Sequence, residues 1–482
     1  MLTREACEAL DRTDPLKDKR DLFALPEGEI YLDGNSLGVP PRAALARLRE
    51  ASETEWATGL IRSWNDAGWM DLPLTLGAKL ARLVGVDPEE VIAVDTVTIN
   101  LFKLATALLA RDVGAIAAEA GEFPTDNHVM EGIAKITGAP MHRVAANTRP
   151  KDLPEGVTVF IKSAVHYKSA EIADFEGYER EARARGLNII WDLSHATGLV
   201  DLKLKAWGAR YAVGCGYKFL SGGPGAPAFL YCAEDQIKTL EHPVSGWLGH
   251  KRPFGFEDAY EPDDTIVRWR TSSPSILALS ALDGAVSAYD GVDMALVEAK
   301  AIALGDILLE KAEALGLEHA CPGKGQRRGG HVVLRHEQGY AIVQALIARG
   351  ITGDFRAPDL MRFGFNPLYN SYVEVFDAAE ALVPKLSDGL DRFARQISPS
   401  LGMSLRYNLV VLHFLQGDAA GALGWVRSIS TQPAHGQRTD VRHFARLLEL
   451  LLQLEQGNLR LLPYLLRNVR RHLRKRERLG PF

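Results

Sequence analysis

Cysteine is scarce in this chain, and long apolar runs are absent. The 482 residues include four cysteines, Cys7, Cys215, Cys232 and Cys321, and no two of them show a spacing typical of zinc sites. We therefore expect a reduced protein without disulfides or a metal site. No run of about 18 apolar residues occurs, so no membrane-spanning helix is expected. The charged N-terminus lacks the apolar segment of a secretory signal, which indicates a cytoplasmic protein.

Two nucleotide-binding motifs are also missing. The sequence contains no GxxxxGK[ST] motif, and no predicted strand leads into GxGxxG. This argues against a P-loop site and against a dinucleotide site of the Rossmann type. The formal net charge of −5 gives no reason to expect nucleic-acid binding. At 482 residues, the chain is long enough for two or three globular domains.

Short apolar runs alternate with helical patterns between residues 75 and 335. Such alternation predicts an α/β fold, in which helices cover both faces of a mostly parallel sheet. A smaller α+β pattern follows the long helical stretch at 276–317. The predicted strands of the sheet are 91–94, 114–119, 156–161, 187–192, 209–214 and 226–231, and the predicted helices between them are 99–111, 126–137 and 168–185.

Charge divides the chain near residue 400. Residues 401–482 contain 13 Lys and Arg but only 5 Asp and Glu, whereas the rest of the chain has an acidic balance. We predict four parts. Residues 1–70 pack with the small domain and a dimer partner, 71–290 form the large domain, 291–400 form the small α+β domain, and 401–482 form an all-α tail.

The stretch "AVGCGYKFLSGGPG" (212–225) surrounds Lys218 with glycines. Glycine is used where backbone turns sharply or approaches another group closely. Lys218 is therefore either a surface charge on a loop or an amine fixed in a site.

Chemically useful side chains follow five of the predicted strands. In an open α/β sheet, ligands bind beyond the carboxyl ends of the strands. Each residue also has a structural explanation: Thr98 as a helix cap, Phe123 as core, Asp192 as a cap and His195 as a hydrogen-bonding group. Together they match the needs of pyridoxal 5′-phosphate, which requires an anion site, an aromatic face, a carboxylate for its ring nitrogen and a lysine for its aldehyde. The candidates are Thr98, Phe123, Asp126, Ser163, Asp192, His195, Tyr217 and Lys218.

Several motifs in the first 395 residues resemble the kynureninase family of fold-type-I pyridoxal-phosphate enzymes. They are "IYLDGNSLG" (30–38), "RSWNDAGW" (62–69), "FPTDNH" (123–128), "YAVGCGYKFLSGGPG" (211–225) and "GDFRAPDLMRFGFNPLY" (353–369). The resemblance implies a fold-type-I large domain with a mostly parallel sheet, and a homodimer with shared active sites.

The resemblance also implies a role for individual residues. Lys218 would form the Schiff base, Asp192 would pair with the pyridine nitrogen, and Tyr217 would relay a proton. Arg362 would bind the substrate α-carboxylate, and Trp64 would line the aryl pocket. The cofactor pocket would be completed by Val97, Thr98, Phe123, Asp126, Ser163, His195, Trp247 and Ser273.

Two positions depart from the family pattern. Ser163 replaces the usual threonine and keeps the hydroxyl. Ser273 stands where relatives carry asparagine or threonine, at a position that would face the cofactor and substrate from the neighbouring subunit. The shorter side chain leaves the preference between L-kynurenine and 3-hydroxykynurenine open.

The implied reaction is hydrolysis of L-kynurenine to anthranilate and L-alanine, a step of tryptophan catabolism. The alternatives are an aminotransferase, a cysteine desulfurase with Cys321 as its nucleophile, and an inactive scaffold protein. Intact Lys218, Asp192 and Arg362 argue against the scaffold.

The tail carries two similar helix–turn–helix patterns. Their turns, "QGD" (416–418) and "QGN" (456–458), recur 40 residues apart, which resembles a fragment of a tetratricopeptide-like array. The basic end "RNVRRHLRKRER" is interpreted as a solvated helix face. A protein partner for this tail is one interpretation of the pattern.

Overall fold

The computed structural model describes residues 2–382, 407, 410, 419–430, 439–455 and 465–467. The chain divides into two compact units, Met1–Pro384 and Lys385–Phe482. The boundary predicted near residue 400 and both predicted turns of the tail lie outside the described residues. In the described ranges, no helix combines the length and apolar character needed to cross a membrane.

The strands of the described residues are numbered in chain order. They are β1 Ile30–Tyr31, β2 Val91–Ala93, β3 Ala115–Glu119, β4 Met141–Val144, β5 Val157–Ser163, β6 Asn188–Asp192, β7 Tyr211–Cys215, β8 Ala228–Cys232, β9 Glu318–His319, β10 His331–Arg335, β11 Ile351–Thr352, β12 Asp354–Arg356 and β13 Leu360–Gly364.

The α-helices are numbered in the same way. They are α1 Arg4–Thr13, α2 Arg42–Glu50, α3 Ser63–Asp66, α4 Leu72–Val84, α5 Val97–Arg111, α6 Pro124–Thr137, α7 Phe175–Arg185, α8 Leu204–Trp207, α9 Glu234–Ile237, α10 Ile276–Val286, α11 Met294–Ala314, α12 Gly339–Ile347, α13 Tyr372–Leu382, α14 Ala419–Ser430 and α15 Thr439–Glu455.

A seven-stranded sheet in the order β2-β8-β7-β6-β5-β3-β4 forms the centre of the first unit. Only β8 runs antiparallel to its neighbours, so the carboxyl ends of the other six strands lie at one edge. The strands other than the edge strand β4 are buried because helices cover both faces of the sheet, and this explains their nearly continuous apolar sequences. All six predicted strands are present in this sheet.

A second, antiparallel sheet in the order β12-β13-β10-β9 belongs to the small α+β part. The N-terminal region joins it, because β1 pairs with β11 and α1 packs against α13. In the register of the small sheet, Arg362 of β13 lies opposite Val333 of β10.

One helix prediction is wrong at its start. The predicted helix 168–185 begins only at Phe175, where Asp174 caps it by accepting a hydrogen bond from the N–H of Gly177. The preceding residues form a turn in which Ala170 has a positive φ of 57°. Helical conformation cannot pass through such a residue.

The described part of the second unit contains α14 and α15, which pack against each other. Their shared core includes Val410, Ala422, Val426, Ile429 and Leu452. Both helices agree with the predicted all-α character of the tail.

Candidate active site

A cavity of about 170 Å³ lies at the carboxyl edge of the large sheet. Its walls come from the segments that follow β2, β3, β5, β6 and β7, and from the start of β8. Segments distant in sequence meet here because parallel strands end at the same edge. The lining residues are Thr96, Val97, Thr98, Phe123, Thr125, Asp126, Ser163, Tyr167, Asp192, Ser194, His195, Cys215, Tyr217, Lys218, Gly225, Ala226 and Ala228.

Lys218 lines this cavity three residues after the end of β7, and only 8% of it is exposed. The glycines around it allow close packing. A Cβ atom at Gly216 would lie 2.5 Å from the carbonyl oxygen of Pro227, and Gly223 has a φ of +90°. Both positions require glycine. Lys218 is therefore a buried amine and not a surface charge on a loop.

The imidazole of His195 lies beside this amine. The Nζ of Lys218 is 3.2 Å from Nε2 and 3.4 Å from Nδ1 of the ring. Burial, followed by the positive charge of Lys218, lowers the pKa of His195 well below its usual value. The ring is therefore neutral at physiological pH.

Two carboxyl groups enter the cavity from different elements. Asp192 ends β6 and accepts hydrogen bonds from the backbone N–H and the hydroxyl of Ser194, at 2.9 and 2.5 Å. Asp126, in the first turn of α6, has no hydrogen-bond partner for either oxygen among the described residues. Burial and the nearby charge of Asp192 raise the pKa of Asp126 well above its usual value. The site therefore favours a proton or a cationic group beside these carboxyls.

The N-terminus of α5 forms another part of the wall. Thr96 is the cap, since its side chain accepts a hydrogen bond from the N–H of Ile99. Thr98 is thus free of the capping role and lines the cavity together with Val97. Unpaired N–H groups and hydroxyls at a helix N-terminus suit an anion.

Tyr167 connects the cavity to Arg362. Its ring makes an edge contact with Phe123, with ring centroids 5.4 Å apart, and its carbonyl oxygen accepts a hydrogen bond of 2.7 Å from Nη1 of Arg362. Nε and Nη2 of Arg362 donate to the two carboxylate oxygens of Asp354, at 2.8 and 2.5 Å. Burial favours the neutral acid, but the hydrogen bonds and charge of Arg362 outweigh it and lower the pKa of Asp354. The guanidinium is therefore fixed in orientation next to the cavity wall.

Four predicted site residues, Trp64, Trp247, Ser273 and Arg362, lie outside the cavity lining. Trp64 belongs to α3 and packs edge-on against Trp69, with centroids 5.8 Å apart. Trp247 is 40% exposed and contacts Phe254 and Phe256, and Ser273 lies on the surface. The other predicted residues all line the cavity.

Sequence reasoning missed several lining residues, among them Tyr167, Ser194 and Cys215. Ser194 follows β6 by two residues, and Cys215 is the last residue of β7, so their position at strand ends was a usable signal. No such signal marked Tyr167, because the predicted helix began at residue 168, directly after it, whereas the helix in the structure begins at Phe175.

Comparison with known proteins identifies relatives over most of the chain. A kynureninase from Pseudomonas fluorescens is 41% identical over 398 residues, which cover 79% of this chain and 95% of the relative. A kynureninase from Burkholderia mallei (strain SAVP1) is 41% identical over 397 residues, with the same coverage. The family described as the kynureninase C-terminal domain matches residues 297–382.

Solved structures share the fold at lower identity. A C-DES mutant with glycine covalently linked to its PLP cofactor has a TM-score of 0.66 and 17% identity, covering 76% of this chain and 99% of that one. The cysteine desulfurase CsdA from Escherichia coli has a TM-score of 0.64 and 16% identity, covering 80% and 99%. They confirm the predicted fold class of the large and small domains. The identity of 41% to the kynureninases extends over most of both chains, and the chain therefore belongs to the kynureninase family.

Proposed function

We propose that this chain hydrolyses L-kynurenine to anthranilate and L-alanine with pyridoxal 5′-phosphate as its cofactor. The observation that carries the proposal is the buried amine of Lys218, beside neutral His195 and in the same cavity as Asp126 and Asp192. Relatives named kynureninase at 41% identity support the choice of substrate.

The cavity fits this cofactor at four places. The start of α5 and Thr98 suit the phosphate, and the exposed face of Phe123 suits the ring. The carboxyl of Asp126, without a partner among the described residues, suits a protonated ring nitrogen alongside Asp192. The residues that we propose to hold the cofactor are Val97, Thr98, Phe123, Asp126, Ser163, Asp192, His195, Tyr217 and Lys218, with Trp247 and Ser273 from a second subunit.

When bound, pyridoxal phosphate supplies an aldehyde for an amine and a ring that accepts electrons from a carbanion. Lys218 would hold the aldehyde, and its Nζ would take the proton from the substrate Cα. The imidazole of His195 lies 3.2 Å from Nζ and helps to fix the position of this buried amine. Asp192 and Asp126 would hold a proton on the ring nitrogen.

The remaining steps need a proton donor and a fixed substrate. Burial raises the pKa of Tyr217, so its hydroxyl stays protonated and is available to donate during cleavage of the Cβ–Cγ bond. In the structure, Nε and Nη2 of Arg362 pair with Asp354, Nη1 donates to the carbonyl of Tyr167, and Nη2 also donates to the hydroxyl of Ser36 over 3.4 Å. Arg362 binds the α-carboxylate with the second hydrogen of Nη1 and with the Nη2 hydrogen that makes this long contact to Ser36. Water adds to the side-chain carbonyl, and Trp64 helps to shape the aryl pocket.

The rival desulfurase reaction lacks a suitably placed nucleophile. Cys321 does not line the cavity, and burial raises the pKa of its thiol. Cys215 does line the cavity, but it is 4% exposed and fixed at the end of β7. An aminotransferase would share the early chemistry, and its products differ from those of hydrolysis.

We further propose a cytoplasmic homodimer. The exposed aromatic surface formed by Trp247, Phe254 and Phe256, and the exposed Ser273, support a contribution from each subunit to the site of the other. The tail would then bind a protein partner, and neither nucleic acid nor membrane takes part.

The test is steady-state kinetics of the purified full chain with L-kynurenine and 3-hydroxykynurenine, with and without added pyridoxal phosphate. We expect release of the fluorescent product anthranilate together with an equal amount of L-alanine. Formation of a keto acid with retention of the aryl ketone would instead show transamination. Absence of both products in the cofactor-loaded protein would overturn the proposed function.

A further inference from the structure

Glu122 lies outside the cavity lining but contacts a residue that belongs to it. It precedes Phe123 in the turn between β3 and α6 and is only 4% exposed. Its Oε2 accepts a hydrogen bond of 2.5 Å from the hydroxyl of Ser163, and its Oε1 accepts one of 3.2 Å from the backbone N–H of the same residue. The carboxylate thus holds Ser163 at two points.

This contact determines whether the hydroxyl of Ser163 acts as a hydrogen-bond donor or as an acceptor toward the cavity. A serine hydroxyl has a single hydrogen, and an ionised carboxylate can only accept. Because the hydrogen is directed to Glu122, only the lone pairs of Oγ are left for the cavity. Ser163 therefore faces the cavity as an acceptor.

A buried ammonium and a second carboxyl group lie behind Glu122. Nζ of Lys162 is 4.0 Å from Oε1 of Glu122 and 2.6 Å from Oε2 of Glu119. Both side chains of that second pair are at most 4% exposed. The carboxyl groups that interact with Glu122 through space are Asp126 and Asp192 on the cavity side and Glu119 behind it.

We propose that Glu122 is a positioning residue that fixes the Ser163 hydroxyl as a hydrogen-bond acceptor, so that this wall of the site selects a ligand atom that carries a hydrogen. The donor is a hydroxyl or N–H group of the bound cofactor or substrate. This inference rests on the proposed function.

The test compares pyridoxal phosphate binding to the cofactor-free full-length protein and four variants. Glu122→Gln is expected to raise the Kd about tenfold, which corresponds to the loss of one charge-assisted hydrogen bond. In a Ser163→Ala background the same change should alter the Kd less than about twofold, because coupled residues are not additive. Glu179→Gln is the matched control: this buried carboxylate accepts a hydrogen bond of 2.7 Å from Nε1 of Trp191, and Glu179 does not line the cavity.

A spectroscopic measurement separates positioning from a structural role. In Glu122→Gln, the pH midpoint of the visible absorption change of the bound cofactor should fall, because a buried negative charge that favours the protonated form has been removed. Glu179→Gln should leave that midpoint unchanged. If Glu122→Gln does not fold, Glu122→Asp keeps the charge, shortens the reach to Ser163 and should weaken binding in the same way.

Three results are decisive. A Kd and midpoint unchanged in Glu122→Gln would overturn the positioning role, even if the parent protein binds the cofactor and hydrolyses kynurenine. The positioning role would also be overturned if Glu122→Gln raised the Kd for pyridoxal phosphate equally in the parent and in the Ser163→Ala background. A parent protein that does not bind pyridoxal phosphate would instead overturn the proposed function and this inference with it.

Discussion

Arg362 is held from two sides before any substrate binds. Asp354 engages Nε and Nη2, and the carbonyl of Tyr167 engages Nη1. With 1% of the residue exposed, the guanidinium has little freedom, so the position of a bound carboxylate follows from the backbone of β13. A lysine at this place would keep the charge but not the planar set of donors.

We therefore expect Arg362→Lys to raise the KM for L-kynurenine about tenfold or more, with a smaller effect on kcat. Arg356→Lys is the control, since Arg356 pairs with the same Asp354 at 2.9 Å but is exposed at the side chain. Initial-rate kinetics on both variants checks the prediction. An unchanged KM in Arg362→Lys would remove this residue from the substrate site.

Some residues of the site could be predicted from the sequence, and others could not. Lys218, Asp192 and Phe123 were predictable because each follows a strand that is recognisable by its apolar run. Tyr167 and Glu122 were missed because their roles depend on contacts between elements distant in sequence. The carbonyl of Tyr167 accepts a hydrogen bond from Arg362 of β13, and the carboxylate of Glu122 accepts one from Ser163 at the end of β5. Hydrophobic periodicity carries no signal for such contacts.

At the scale of elements, the strands of the large sheet were predicted closely, and the loop after β5 was not. Strands buried on both faces leave continuous apolar runs, whereas the turn before α7 depends on local features such as the positive φ of Ala170 and the cap at Asp174. The segment around Ser169 has helical composition, but the structure places it in the turn before α7, and Tyr167 of this segment lines the cavity.

The packing of α7 against β6 leads to a pH prediction. Burial raises the pKa of Glu179 to about 7, against a value of 4.5 for an ordinary glutamate, and the hydrogen bond from Trp191 offsets this only in part. Below pH 4.5 the group is protonated in both the folded and the unfolded chain. As pH rises from there to about 7, the unfolded chain releases its proton first, so the free energy of unfolding decreases.

Glu179→Gln should abolish this loss, which is on the order of 3 kcal/mol above pH 7. We expect the unfolding free energy of the variant to exceed that of the parent at pH 8, and the difference to shrink at pH 5. Urea denaturation at both pH values measures it. Glu176→Gln, on the exposed side of the same helix, is the control. A difference between variant and parent that does not change with pH would contradict the assignment.

The whole molecule consists of two compact units, and the proposed chemistry belongs to the first of them. Every residue assigned to chemistry lies in Met1–Pro384, and the described tail helices have a small core of their own. Leu447 and Leu451 of α15 remain 40% and 52% exposed. These observations favour a tail that serves association and not catalysis.

A chain that ends at Ser400 should therefore keep its turnover and cofactor content within about twofold, the usual range for changes far from a site. Turnover, cofactor absorbance and oligomer size are measured against the full chain. Loss of turnover in a truncated protein that is still folded and loaded with cofactor would place the tail in the active site.

The assembly prediction concerns the first unit. Because Trp247 and Ser273 are outside the cavity of their own protomer, we expect at least a dimer in solution. Trp247→Ala should weaken cofactor binding although the residue lies outside this cavity. Light scattering and activity at matched concentrations provide the check, and a fully active monomer would contradict shared sites.

The central claim is that Lys218 holds the cofactor covalently. Its most direct test is borohydride reduction of the pyridoxal-phosphate-loaded protein, followed by peptide mass spectrometry. We predict a single phosphopyridoxyl group on Lys218, with loss of both the label and turnover in Lys218→Ala. A label on Lys162 or another lysine, or full turnover in Lys218→Ala, would contradict the account.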